Sequence, residues 1–167
     1  MTENKFWEII AESNKNAHGS QDVQRAALRK ILLKLDAAEV IAFDRIFTEM
    51  LYKSYAWDLW GAAYIIDGGC SDDGFEYFRR GLVAAGRQKF ENALRDAESL
   101  ADWANPDEVE FEGIHHVADE VYQEKTGAKK MPNHGLKHPN EPSGEDWSAN
   151  GDDLENRFPN LWEKFGA

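Results

Sequence analysis

The densest run of reactive side chains lies between Trp57 and Arg87, reading WDLWGAAYIIDGGCSDDGFEYFRRGLVAAGR. Asp67, Asp72 and Asp73 flank the glycine pair Gly68-Gly69. Carboxylates around a tight turn are the oxygen donors that a hard cation takes, at least about six at once. Three acids without the loop spacing of an EF-hand leave too many of those positions empty, so the sequence assigns no metal and no cofactor. Ser71 followed by two acids is also an ordinary helix start, with a hydroxyl to cap a free N–H and negative charge at the positive end. Arg79 and Arg80 come two turns after Asp72 and Asp73 on about the same face, and Arg87 reaches that turn if the chain reverses at Gly86. Guanidinium groups so placed can hold a phosphate or carboxylate ligand. Their commoner role is to neutralise acids such as Asp58, Asp72 or Asp73 within an aromatic core. Asp67, Asp72, Asp73, Arg79 and Arg87 are therefore the candidate ligand-binding set, and no residue is given a catalytic role.

Cys70, the one cysteine, stands beside the Ser71 helix start, where the dipole lowers a thiol pKa if the sulfur faces it. No base is adjacent, since His18, His115, His116, His134 and His138 are all remote in sequence. A small buried cysteine is the expectation. Glu112-x-x-His115-His116-x-x-Asp119 has the acid–imidazole spacing of ferritin-like diiron helices. A second such motif and two further inward glutamates are missing. His134 and His138 fall in a loop and support at most an adventitious zinc or nickel site. Trp57, Trp60, Tyr64, Phe75, Tyr77 and Phe78 recur at helical spacing and read as core.

Helices must position these groups. Thr2, Ser20 and Ser71 are capping residues, and Asp36-Ala-Ala-Glu39 has the reciprocal capping pattern. The first helix carries Phe6, Ile9 and Ile10 on one face; the second is expected to bury Val23, Ala27, Ile31 and Leu35 opposite Arg25, Arg29 and Lys30. The third turns Val40, Phe43, Phe47, Met50 and Leu51 inward and breaks near Ser54–Trp57. Ala56 to Ile66 is apolar almost all round, the mark of a buried central helix. Helices over Ser71–Gly86 and Arg87–Ala97 follow, and the pattern predicts a final long helix from Asp107 to Gly127. Residues 127–146 hold three of the five prolines and read as irregular chain. Trp147, Leu154, Phe158, Leu161, Trp162 and Phe165 then dock back on the core. The whole is one all-α domain over 1–167: a helical core (1–126), an irregular loop (127–146) and a docking segment (147–167).

These motifs bring a resemblance with them. Phe6-Trp7, Trp57–Tyr64 (WDLWGAAY), Gly68–Phe75 (GGCSDDGF), Tyr77-Phe78-Arg79 and Gly86-Arg87 together resemble a bacterial family, the domain of unknown function numbered four-two-four-zero. Ser99-Leu100-Ala101, the stretch Val117–Gly127 (VADEVYQEKTG) and Phe158-Pro159-x-Leu161-Trp162 extend the likeness over most of the chain. The resemblance implies an all-helical architecture and brings no reaction.

The 167 residues, 12% aromatic and with a single cysteine, suit one folded domain that needs no disulfide. The net charge of −12 weighs against nucleic acid and membrane surfaces as partners. No apolar run reaches the length of a membrane span, and MTENKFWEII lacks the layout of a signal peptide, so a cytoplasmic protein is expected. The acidity is concentrated late in the chain, with six Lys/Arg against sixteen Asp/Glu in residues 97–167. That charge steers a cationic partner. The sequence therefore points to a non-enzymatic protein that binds a basic protein partner, a regulator or toxin-neutralising type, with Asp107, Glu108, Glu110 and Glu112 as partner surface. The alternative is a small-molecule or metal-dependent enzyme built on the Asp67–Asp73 turn with Arg79 and Arg87. Oligomeric state is not set by the sequence.

Overall fold

A computed structural model describes residues 1–166. The chain folds as helices α1 (Glu3–Asn14), α2 (Gln21–Leu33), α3 (Ala37–Lys53), α4 (Trp57–Asp67), α5 (Asp72–Ala84) and α6 (Arg87–Arg95). Two 3-10 turns, Ala97–Asp102 and Glu112–His116, precede α7 (Val117–Thr126), and the short α8 (Leu154–Arg157) and α9 (Pro159–Phe165) close the chain. Among the described residues there is no strand, only an isolated parallel bridge between Ala56 and Ser143.

The starts of these helices follow local chemistry. Thr2, Ser20 and Ser71 each accept a main-chain N–H through the side-chain oxygen, and Asp36 with Glu39 closes a complete capping box. Gly68 ends α4 in the left-handed region (φ 70°), where a Cβ would be strained. Inside, Phe6, Phe43 and Phe47 meet ring to ring, and α3 packs on both α5 and α7. Leu59, Ala62, Ala63, Ile65 and Ile66 make α4 the buried central helix. Gly61 lets the tail approach: a Cβ there would stand 3.0 Å from Leu154 Cδ2 and Phe158 Cε2. The docking is reinforced by Glu98, whose carboxylate accepts the N–H groups of Asn160 and Leu161 at the start of α9.

Two elements differ from the sequence reading. In α2 the buried residues are Gln24, Leu28 and Leu32, while Val23 is 47% exposed. The helix is rotated because Arg25 and Arg29 pair with Glu120 and Glu124 of α7, and Gln24 donates inside to Ala84 O and Ser13 Oγ. The expected long helix from Asp107 is the other correction. Residues 107–111 run irregularly, Glu112–His116 is a 3-10 turn, and the α-helix begins only at Val117. Here Val109 and Phe111 point inward and Glu108, Glu110 and Glu112 outward, the period-two pattern of extended chain. Tertiary bonds replace helical ones: Phe111 N–H donates to Tyr77 O, and Gln21 Nε2 donates to the carbonyls of Glu108 and Glu110. Gly81 of α5 makes room, because a Cβ there would lie 1.8 Å from Val109 O.

The irregular stretch after α7 lies as a strap on the helices. Met131 is buried and its N–H donates to Asp119 Oδ1. Farther on, Ser143 N–H donates to Tyr55 O, and Ser143 O accepts from Trp57 N–H at the uncapped start of α4.

Candidate functional site

The C-terminal turn of α4 carries Asp67, the glycines swing the chain round, and Cys70 follows just before Ser71 caps α5. Glu110 of the extended segment comes down over this corner. One carboxylate oxygen each from Asp67 and Glu110 and the Cys70 sulfur lie within 4.8 Å of one another. The two groups of acids that looked separate in the sequence thus meet. Glu112 lies beside the Tyr77 hydroxyl and, with help from Asp73, raises its pKa. Asp72 and Asp73 are exposed in the first turn of α5.

Crowding perturbs the groups at the corner. Asp67 is pushed up to about 7, first by burial and then by the charge of Glu110 and a shared hydrogen bond with it. Its Oδ2 is shielded from solvent and receives no N–H or O–H from elsewhere in the protein. The Cys70 thiol is pushed up to about 12 by burial and by Asp67 and Glu110. Burial and the nearby acids outweigh the helix start beside it.

The arginines belong to other neighbourhoods. Arg79 is 4% exposed; its guanidinium donates to Leu51 O at 2.8 Å and Phe75 O at 3.3 Å. It also lies over the Tyr55 and Phe75 rings, 4.9 and 4.7 Å from their centroids. Arg80 pairs with Glu76 and donates to Glu112 O. Arg87 turns to Glu91 and Asn4, with Glu3 beyond. Asp58 is held by Arg157. None of the three arginines forms an ion pair with Asp58, Asp72 or Asp73; the charge of Arg79 still reaches Cys70 and opposes the rise in its pKa, while Arg87 is turned to Glu91 and Asn4.

A second constellation escaped the sequence reading. Asp44 of α3 receives His134 of the strap, Nε2 to Oδ2 at 2.6 Å, and faces His115 Nε2 at 3.5 Å. The His115 ring stacks on Phe47 with centroids 4.8 Å apart. Burial lowers its pKa, with Asp44 opposing. A cavity of about 360 Å³ opens beside them, lined also by Thr48, Tyr52 and Asp119. His115 therefore faces Asp44 while Glu112 faces Tyr77, so the Glu112–His115 spacing does not become a metal motif. His138 meets Tyr52 and Tyr55 edge-on. The only local signal for this cluster is Asp44 and Thr48 at i, i+4 on α3; its partners lie far along the chain.

The chain belongs to the family described as Protein of unknown function (DUF4240), whose family model matches residues 1–124. That span includes the glycine corner and Glu110 and stops before the strap. No curated protein and no solved structure matches the chain.

Proposed function

We propose that this family member is a non-catalytic binding protein of the bacterial cytoplasm, a regulator or toxin-neutralising type, whose acidic face takes a basic protein partner. One observation carries the reading. Asp72, Asp73, Asp107, Glu108, Glu110 and Glu112 make no ion pair with any Lys or Arg among the described residues. Several acids elsewhere are matched, with Glu76, Glu91, Glu120, Glu124 and Asp58 each holding an arginine. Uncompensated charge on a defined face costs stability through self-repulsion and raises the encounter rate with a cationic surface.

The face also has shape. A groove of about 410 Å³ runs between the start of α2 and the segment before the Glu112–His116 turn, lined by Asp22, Tyr77, Glu110 and Glu112 together with Arg25, whose guanidinium is paired to Glu120. An arginine or lysine entering it would meet three carboxylates and an aromatic ring, partners for charge-assisted hydrogen bonds and a cation–π contact.

The test begins with the proteins that co-purify with the native chain. A partner should be basic, and reversing Asp107, Glu108, Glu110 and Glu112 to lysine should abolish its binding while the far-ultraviolet circular dichroism stays helical. A partner held as tightly by the folded charge-reversed chain removes this function.

A further inference from the structure

We propose that Asp67, Cys70 and Glu110 form a binding site for a thiophilic divalent cation of the zinc type, at the corner between α4 and α5. The site goes beyond the partner-binding reading and does not depend on it. The three donors come from three stretches of chain and converge within 4.8 Å. Glu110 is long-armed and exposed, so its carboxylate can close the remaining distance to tetrahedral coordination.

Two independent features of the corner fit a cation. The first is Asp67 Oδ2, shut away from solvent with no donor from the protein. Asp67 sits in the last turn of α4, where free carbonyls already carry negative partial charge, and Glu110 adds a second carboxylate with no Lys or Arg bridging either. The second is the space left by Gly74. A Cβ there would lie 3.2 Å from Glu110 Oε1, 3.4 Å from Ser71 Oγ and 3.5 Å from Cys70 Sγ, so both the Glu110 carboxylate and the Cys70 sulfur pack directly on this glycine.

The donor chemistry selects the ion. Zinc takes a thiolate at about 2.3 Å and carboxylate oxygens at about 2.0–2.2 Å in a tetrahedron. Calcium and magnesium prefer all-oxygen shells of higher number. Three protein donors leave a fourth position for water. Binding replaces the thiol proton by a sulfur–metal bond, and that proton goes to solvent, so affinity falls as pH falls.

Cobalt(II) is the probe, added to the full chain after metal removal. One equivalent should give a sulfur-to-cobalt charge-transfer band with the visible bands of tetrahedral cobalt, and zinc should erase them. Because Cys70 is the one thiol, zinc should also slow its alkylation in the unaltered chain. Cys70→Ala should lose the charge-transfer band, and Glu110→Gln should weaken cobalt binding by about tenfold or more. A His115→Gln/His134→Gln double variant should keep the band. The Asp107/Glu108/Glu112→Lys variant spares all three donors and should keep it as well, so the metal site and the partner face can fail separately. No charge-transfer band in the native chain, unaltered affinity in Glu110→Gln, or loss of the band in the histidine variant overturns the site.

Discussion

The guanidinium of Arg79 lies against two aromatic rings and donates to main-chain carbonyls of two helices, α3 and α5. What it supplies there is a flat fork as much as a charge, and lysine cannot copy that shape. Arg79→Ala should cost about 3 kcal/mol in urea unfolding, since it removes the guanidinium's bonds to Leu51 O and Phe75 O and empties the buried space it fills against Tyr55 and Phe75. Arg79→Lys should recover less than half of that loss; full recovery would mean that charge alone matters. His115 makes a second residue-level test. Its folded pKa is lowered by burial, while Asp44, His134, His116, Arg80 and Glu76 surround it. The unfolded chain therefore binds the proton more readily, and His115's contribution is intact above about pH 6.5 and lost as pH falls below it. Between pH 7.5 and 5.5 the native chain should lose more stability than His115→Gln. Equal losses would contradict a buried neutral imidazole. Single residues were legible in the sequence where their chemistry is local. The caps at Thr2, Ser20, Asp36 and Ser71 need only neighbours within one turn. The Asp44–His134 bond spans 90 positions and leaves no local trace.

The irregular run from Asp107 to Phe111, a turn leading into extended chain, is the element on which the candidate sites turn. Its side chains alternate, two buried and the glutamates outward, yet its composition of Val, Phe and Glu also suits a helix. Tertiary bonds from Gln21 and Tyr77 decide the matter, and those were invisible in the chain order. Gly81 is the structural requirement. Gly81→Ala puts a methyl group against the Val109 carbonyl, backbone that cannot swing aside, and should cost about 3 kcal/mol. The segment should also shift outward, seen as faster amide exchange at Phe111, whose N–H is bonded to Tyr77 O. Unchanged stability and protection would show that the segment is not pinned there. The same logic explains the rotated α2. Pairing to Glu120 and Glu124 on α7 fixed its face, whereas apolar spacing alone favoured a neighbouring stripe.

Across the whole molecule, basic groups are spent on internal pairing and acids are left over. Arg25, Arg29, Arg80, Arg87 and Arg157 are each bound to a carboxylate on or between helices. Part of the negative charge gathers where Glu110 and Glu112 meet the start of α5. The excess of acid in the last part of the chain was plain from composition. Its merging with Asp67, Asp72 and Asp73 required the fold. Screening acts over about 8 Å at physiological ionic strength, so a face of this kind draws a cation strongly only in dilute salt. The most direct measurement is the association rate with the co-purifying partner as ionic strength is raised from about 20 to 500 mM. The rate should fall steeply for the native chain and stay flat and slow for the charge-reversed one. A native rate that does not respond to salt would contradict capture by the acidic face.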